Sequence, residues 1–281
     1  METTKKTPLN SFNKIYHYVV ERPILTSAAL LFTISCIVVG LSIPYYMDDF
    51  SQIKYDLLIQ GHGMIFDIAL IGMLLYWLNQ NGEKRQRIRM YQDEIDDFRL
   101  WNSPEAAFRT VGNLKRLNRH KIYDIDLVNC YLANTNINNI NLKDSNINSA
   151  NISNTSLIDS NLENARLNQT NFEGSNLNNA SLIGAYASGA NFRDAYLIKA
   201  NLTKSYLIKT DFTNAYLMEA NLQGSYLMGT IFDNTSLYKA DLRKTKGLTI
   251  EQLKKAKTLY QTKFDDDFIK QNHEFFNGLI E

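Results

Sequence analysis

From Leu127 to Leu242 every fifth residue is apolar. The series opens Leu127, Leu132, Ile137, Leu142, Ile147 and has 24 members, of which Ala187 is the only small one. Two residues before each member stands a small residue, such as Ala150, Thr155, Ser160 and Ala165; Ile125 and Ile140 are the only large ones in that column. An α-helix repeats every 3.6 residues and a strand every two, so neither carries a period of five. The pattern requires a chain that turns one side of a coil every five residues. The stretch 121–246 is also rich in Asn, 22 of 126 residues, a bias that on its own suggests disorder. The unbroken period decides against disorder. All four prolines lie at or before Pro104, so these turns are made without proline.

Units such as Ala150-Asn151-Ile152, Ala190-Asn191-Phe192, Ala200-Asn201-Leu202 and Ala240-Asp241-Leu242 resemble the A(D/N)LxX signature of pentapeptide-repeat proteins. The resemblance implies a right-handed quadrilateral β-helix, an all-β solenoid with four pentapeptides per coil. The central apolar residue and the small residue before it would point inward. The 24 units then make about six coils, a rod of roughly 29 Å at about 4.8 Å per coil. Asn before the central residue is expected to stack from coil to coil in amide ladders. Cys130 falls in the small column and reads as packing.

A solenoid has open ends and needs caps. Ser103-Pro104-Glu105 marks a helix start, and Ala107, Phe108, Val111, Leu114 and Leu117 are expected to share the face that covers the first coil. At the other end Thr249 and Gln252 form a capping box. A helix with Leu253, Ala256 and Leu259 inward should follow, then a second from about Asp265 with Phe268, Ile269, Phe275 and Phe276. The acids Asp265, Asp266 and Asp267 are read as helix N-terminal residues.

Upstream the chemistry differs. Ile24–Ile43 are 20 mostly apolar residues, about 30 Å as a helix, one hydrocarbon thickness. Leu57–Leu78 has the length for a second span, with a clean apolar core over Ile68–Leu78. Basic residues flank the pair at Lys5, Lys6, Lys14 and Arg22 and at Lys84, Arg85, Arg87 and Arg89, while the connecting loop holds only Lys54. That asymmetry puts both termini and the repeat domain in the cytoplasm, on the inner membrane of a bacterium. Gln60, His62 and Asp67 interrupt the second span. Asp67 either lines a polar path between copies or reaches water near the helix start; a carboxylate at membrane depth costs about 2.5–3.5 kcal/mol. Ile88, Tyr91, Ile95 and Phe98 form a short heptad-like seam, suited to self-association or to lying against the next domain.

The domain plan is therefore a cytoplasmic segment 1–22, a two-helix transmembrane hairpin 23–80, juxtamembrane and capping helices 81–120, the repeat 121–246 and a helical cap 247–281.

The outward positions are not uniform. Taken every 20 residues, the position before the central residue reads Tyr186, Tyr206, Tyr226 on one side and Tyr196, Tyr216 on the opposite side. The position after it adds Ile208 and Met228, and Ile198, Met218 and Tyr238. Stacked rings would stabilise the coil, but apolar patches on a surface mark contacts, so these ten residues are the expected protein-binding surface.

No nucleophile, phosphate loop or metal-ligand spacing stands out, and no catalytic residue, cofactor or small-molecule substrate is expected. Some soluble pentapeptide-repeat proteins resemble duplex DNA and inhibit gyrase, which needs an acidic surface. Residues 121–246 hold 11 Lys/Arg and 11 Asp/Glu, so no nucleic-acid partner is expected and a DNA-mimic, gyrase-binding role ranks third among the expected functions. The leading expectation is a membrane-anchored, non-enzymatic scaffold that binds other proteins or itself. The alternative is a pore-forming or signalling effector whose hairpins assemble around Asp67.

Overall fold

The computed structural model describes residues 50–277 throughout and a few helical residues between 32 and 43. The expected first span and the N-terminal segment fall largely outside the described residues. The chain divides into two compact units, residues 1–85 and 86–281.

In the first unit the described chain is helical. Helix α1 runs Phe50–Asp97. Its stretch from Met64 to Leu78 leaves Met64, Ile65, Phe66, Leu75 and Trp77 at least half exposed. Among the described residues one helix segment, Gln60–Asp97, is long and apolar enough to cross a membrane: its most apolar window has a mean hydropathy of 1.5 and no buried residue. Such a surface needs cover that the described residues of the unit do not supply.

The second unit is the solenoid. Parallel bridges join residues 20 apart, from Asp126 with Asn146 to Tyr226 with Lys246, one residue per side. Four sides make a coil. The first carries Asp126, Asn146, Arg166, Tyr186, Tyr206, Tyr226 and Lys246; the second Tyr131 to Ile231; the third Asn136 to Ser236; the fourth Asn141 to Asp241. Each central residue is buried, from Leu127 to Leu242. On the second side the centre is a ladder of Phe172, Phe192, Phe212 and Phe232, with centroids 4.7, 5.2 and 5.8 Å apart.

The backbone bonding explains the Asn content. On each side the central N–H donates to the next coil, as Leu127 N–H does to Asn146 C=O at 2.7 Å. The N–H after it lies outside the ladder. An amide or carboxylate oxygen meets it instead: Asn151 Oδ1 accepts from Ser153 N–H at 3.1 Å, and Asn178 Oδ1 accepts from Ile198 N–H, one coil on, at 2.9 Å. A ladder bond between amides does form from Asn191 to Asn171 at 2.9 Å, but the commoner duty is capping the backbone, which corrects the expectation of continuous amide ladders. Corners are made by residues at positive φ, among them Asn129 at 56°, Asp159 at 57° and Gly184 at 65°; Asn, Asp and Gly tolerate that conformation. Threonine hydroxyls in the small column donate inward to the coil before, as Thr170 does to Ile147 C=O at 2.7 Å.

Helix α2, Pro104–Arg119, starts as expected: Ser103 Oγ accepts from Ala106 N–H at 3.2 Å. It buries Ala106, Ala107, Thr110, Val111, Leu114 and Leu117. Phe108 does not join them and is 79% exposed, because at 100° per residue it falls off the line through Ala107, Val111 and Leu114. The end of α1 also belongs to this cap. Ile95 is buried in the core, with Ile88 and Tyr91 packed against it. Phe98 meets Trp101 edge-on at 5.5 Å and lies under the Arg109 guanidinium. Ile95 is thus taken up within its own unit, while Ile88, Tyr91 and Phe98 stay half-buried. Arg99 donates to Val128 C=O at 2.6 Å and pairs with Asp96, tying the helix end to the first coil.

The tail departs from expectation. Directly after Gly247 a single helical turn forms, α3, Ile250–Leu253. The chain then re-enters the ladder, with Thr258 bridging Ser236 and Lys263 bridging Asp241 at a spacing of 22 rather than 20. Leu259 and Phe264 continue the central columns as buried residues, and Thr262 donates to Leu237 C=O at 2.7 Å. The inward placing of Leu253 and Leu259 is right; the helix joining them is not. Gln252 makes this possible: it accepts from Thr249 N–H at 2.8 Å and donates to Leu227 and Thr230 C=O, each at 2.8 Å. The end is closed by α4, Asp266–Gln271, and α5, His273–Phe276, with Phe276 and Phe264 centroids 4.9 Å apart.

Candidate protein-interaction surface

The outward tyrosines form two stacks. On the first side Tyr186, Tyr206 and Tyr226 lie 4.7 and 4.6 Å apart and within 6° of parallel. On the third side Tyr196 and Tyr216 are 4.9 Å apart, and Tyr238 meets Tyr260 of the tail at 6.0 Å. The register of 20 places each ring above the last, and the rise of the coil sets the spacing.

Exposure sorts the expected surface. Tyr186 and Tyr196, at the start of each stack, are exposed, and Met228 is 60% exposed. Tyr206, Tyr216, Tyr226, Tyr238, Ile198, Ile208 and Met218 are half-buried, since neighbours one coil away cover their sides. The two stripes are therefore less apolar to solvent than the sequence suggests. Ile231 and Tyr260, both exposed, lie beside them and were not in the sequence columns. Tyr260 could have been found only by seeing that the ladder resumes with a two-residue offset.

The stacks end in charge. Lys246 follows Tyr226 in the first-side column, with its Nζ 4.6 Å from the ring centroid and donating to the hydroxyl at 3.1 Å. Lys239 lies over Tyr238 at 5.0 Å, and a hydrogen bond to that ring's hydroxyl raises its pKa.

Apart from Ile231 on the second side, the second and fourth sides of the late coils stay polar. Arg193 bonds Asp211 at 3.1 Å, and Gln223 and Arg243 hold Asp241. Both aspartates are held below the usual carboxylate range. Partial burial acts against this and is outweighed, for Asp211 by Thr213 and Arg193, and for Asp241 by Arg243 and Gln223.

Cys130 is buried, and desolvation pushes its thiol up to about 11, consistent with packing. Asp67 and Gln60 are exposed on α1, as is His62. Among the described residues no cluster of His, Cys, Asp and Glu is arranged to hold a metal. Asp265 instead accepts from Lys244 N–H at 2.8 Å. An open groove of about 940 Å³ runs beside α2, lined by Pro104, Phe108, Val111, Tyr131 and Ala133 among others.

The family model for pentapeptide repeats matches eight copies in overlapping stretches from 125 to 246. Residues 125–246 belong to the pentapeptide-repeat family. Members of this family are in general non-enzymatic protein-binding modules. None of the curated proteins compared with the chain matches it. Similar solved structures include the pentapeptide-repeat protein Rfr23 from the cyanobacterium Cyanothece 51142, 18% identical over 56% of this chain and 97% of that one, with a TM-score of 0.29. Another is alr5209 from Nostoc Pcc 7120, 26% identical over 39% and 84%, TM-score 0.31. A third is QnrB1, a plasmid-mediated fluoroquinolone resistance protein, 16% identical over 54% and 84%, TM-score 0.32.

Proposed function

We propose that this pentapeptide-repeat protein is a membrane-anchored, non-enzymatic scaffold. It presents the rod to the cytoplasm from a two-span hairpin in the inner membrane, and binds other proteins or itself through the tyrosine sides. The observation that carries the reading is the concentration of Tyr, Ile and Met on two sides of the later coils, with Met228 60% exposed. The apolar stretch of α1 supports the anchor. Basic residues at Lys84, Arg85, Arg87 and Arg89 support the cytoplasmic side. The test is Tyr216→Lys with Met218→Lys in the full chain, read by oligomer size and by protein crosslinks in native membranes. Loss of larger species or of adducts is expected; an unchanged pattern removes the reading for that side.

A second reading rests on Asp67, a carboxylate at the edge of the apolar core Ile68–Leu78 of α1. It makes the chain a pore-forming or signalling effector. Liposome conductance that disappears in Asp67→Ala would favour it, and absence of conductance in the wild type would dismiss it.

A further inference from the structure

The two tyrosine sides differ in charge, while Met218 and Tyr238 N–H on the third side, like Ile208 and Met228 N–H on the first, meet no acceptor among the described residues. The first side, from Asn146 to Lys246, carries no acidic side chain at its outward positions, only the cations Arg166, Lys209 and Lys246. Arg166, Lys209 and Lys246 are exposed and form no ion pair among the described residues. The third side by contrast carries Glu219, paired with Lys199 at 3.8 Å.

The backbone adds donors. Asn168 Oδ1 accepts from Ser188 N–H at 3.1 Å on the first side. One and two coils later the equivalent groups are the N–H of Ile208 and of Met228. Tyr206 and Tyr226 stand where Asn would cap them from two residues before. Among the described residues no acceptor meets either N–H. The tyrosine rings are stacked 4.6–4.7 Å apart, so both π-faces of Tyr206 are covered and Tyr226 lies between Tyr206 and Lys246 Nζ, with edges and hydroxyls pointing out. That leaves only the outer face of Tyr186 for a nucleobase to stack on. The first side of the late coils is thus a surface of hydrogen-bond donors and positive charge with an apolar centre at Met228.

We infer that this side, centred on Tyr206, Tyr226 and Met228 and flanked by Arg166, Lys209 and Lys246, docks an acidic segment of a partner protein. Carboxylates and peptide carbonyls supply the acceptors it lacks, and charge complementarity selects the partner. The inference rests on the protein-binding reading above and assigns it a side and a partner chemistry.

The test uses the full chain in neutral detergent and a fluorescein-labelled random copolymer of glutamate and tyrosine, read by anisotropy. Binding is expected at low salt and should weaken as salt rises. Arg166→Glu with Lys209→Glu should lower affinity at least tenfold, while Lys199→Glu with Lys239→Glu on the third side should change it less than twofold. Tyr206→Asn restores an acceptor for Ile208 N–H without altering charge and should weaken binding severalfold. Circular dichroism checks each variant, and Arg166→Gln with Lys209→Gln replaces any that fails to fold.

No binding, or equal loss from both charge-reversed pairs, overturns the inference. So does tighter binding of phosphatidylglycerol vesicles or of a 20-nucleotide single strand that is lost in the same variants, since the side then belongs to lipid or nucleic acid. A wild-type chain that self-associates through this side also overturns it. Failure of the wider reading looks different: no protein adduct forms from either tyrosine side in native membranes.

Discussion

The early and late coils of the rod share one interior and have different exteriors. Leu157 and Leu217 occupy the same central column three coils apart, and both are fully buried. Outside, the first-side column changes from Asn146 and Arg166 to Tyr186, Tyr206 and Tyr226. The five-residue rule constrains only the central and small positions. The surface is free to vary, so function is to be sought where it departs from the Asn that the backbone prefers. In the late coils Tyr replaces that Asn at the cost of uncapped N–H groups, a change that packing alone does not require.

The comparison can be broken first at the interior. Leu157→Ala and Leu217→Ala should each cost about 2–5 kcal/mol and agree closely, measured as shifts in urea unfolding. A much smaller loss in one half would mean that the interiors are not equivalent. Corners come next. Asn164 sits at φ 54°, and Asn164→Val should cost about 1–2 kcal/mol, against a near-neutral Asn164→Gly. Smaller still is Tyr206→Ser, which opens the middle of a three-ring stack and should cost about 0.5–1.5 kcal/mol beyond lost burial. A larger penalty would assign the stack to stability rather than contact.

The polar sides sharpen the contrast through pH. Asp211 and Asp241 have folded pKa values below their unfolded ones. Their contribution is present above the unfolded value of about 3.9 and is lost as pH falls through the lower folded values. Acid unfolding of Asp241→Asn should therefore show a shallower slope below about pH 4 than the wild type. Cys130, held protonated by burial, should resist maleimide at pH 8 until the early coils are unfolded.

The interior was legible because its rule is periodic: the columns beginning at Leu127 and Ile125 name the buried residues directly. The Tyr columns were legible for the same reason. What escaped was set by bonding or by exact phase. The duty of Asn151 and Asn178 depends on which N–H the ladder omits. Phe108 misses the buried face of α2 by one step of the helix. Tyr260 and Phe264 were hidden by a two-residue offset that the turn at α3 introduces. Ile95 left two readings open, a seam for a second copy or a face against the next domain, because spacing tells that a face is apolar, not what covers it.

The central claim is that the late coils, and not the early ones, present the contact surface. A photoreactive benzoylphenylalanine placed at Asn146 or at Tyr206 samples one side of the same rod at early and late positions. In native membranes, protein adducts are expected from position 206 and not from 146. Equal adducts from both positions, or adducts from 146 alone, would contradict the account.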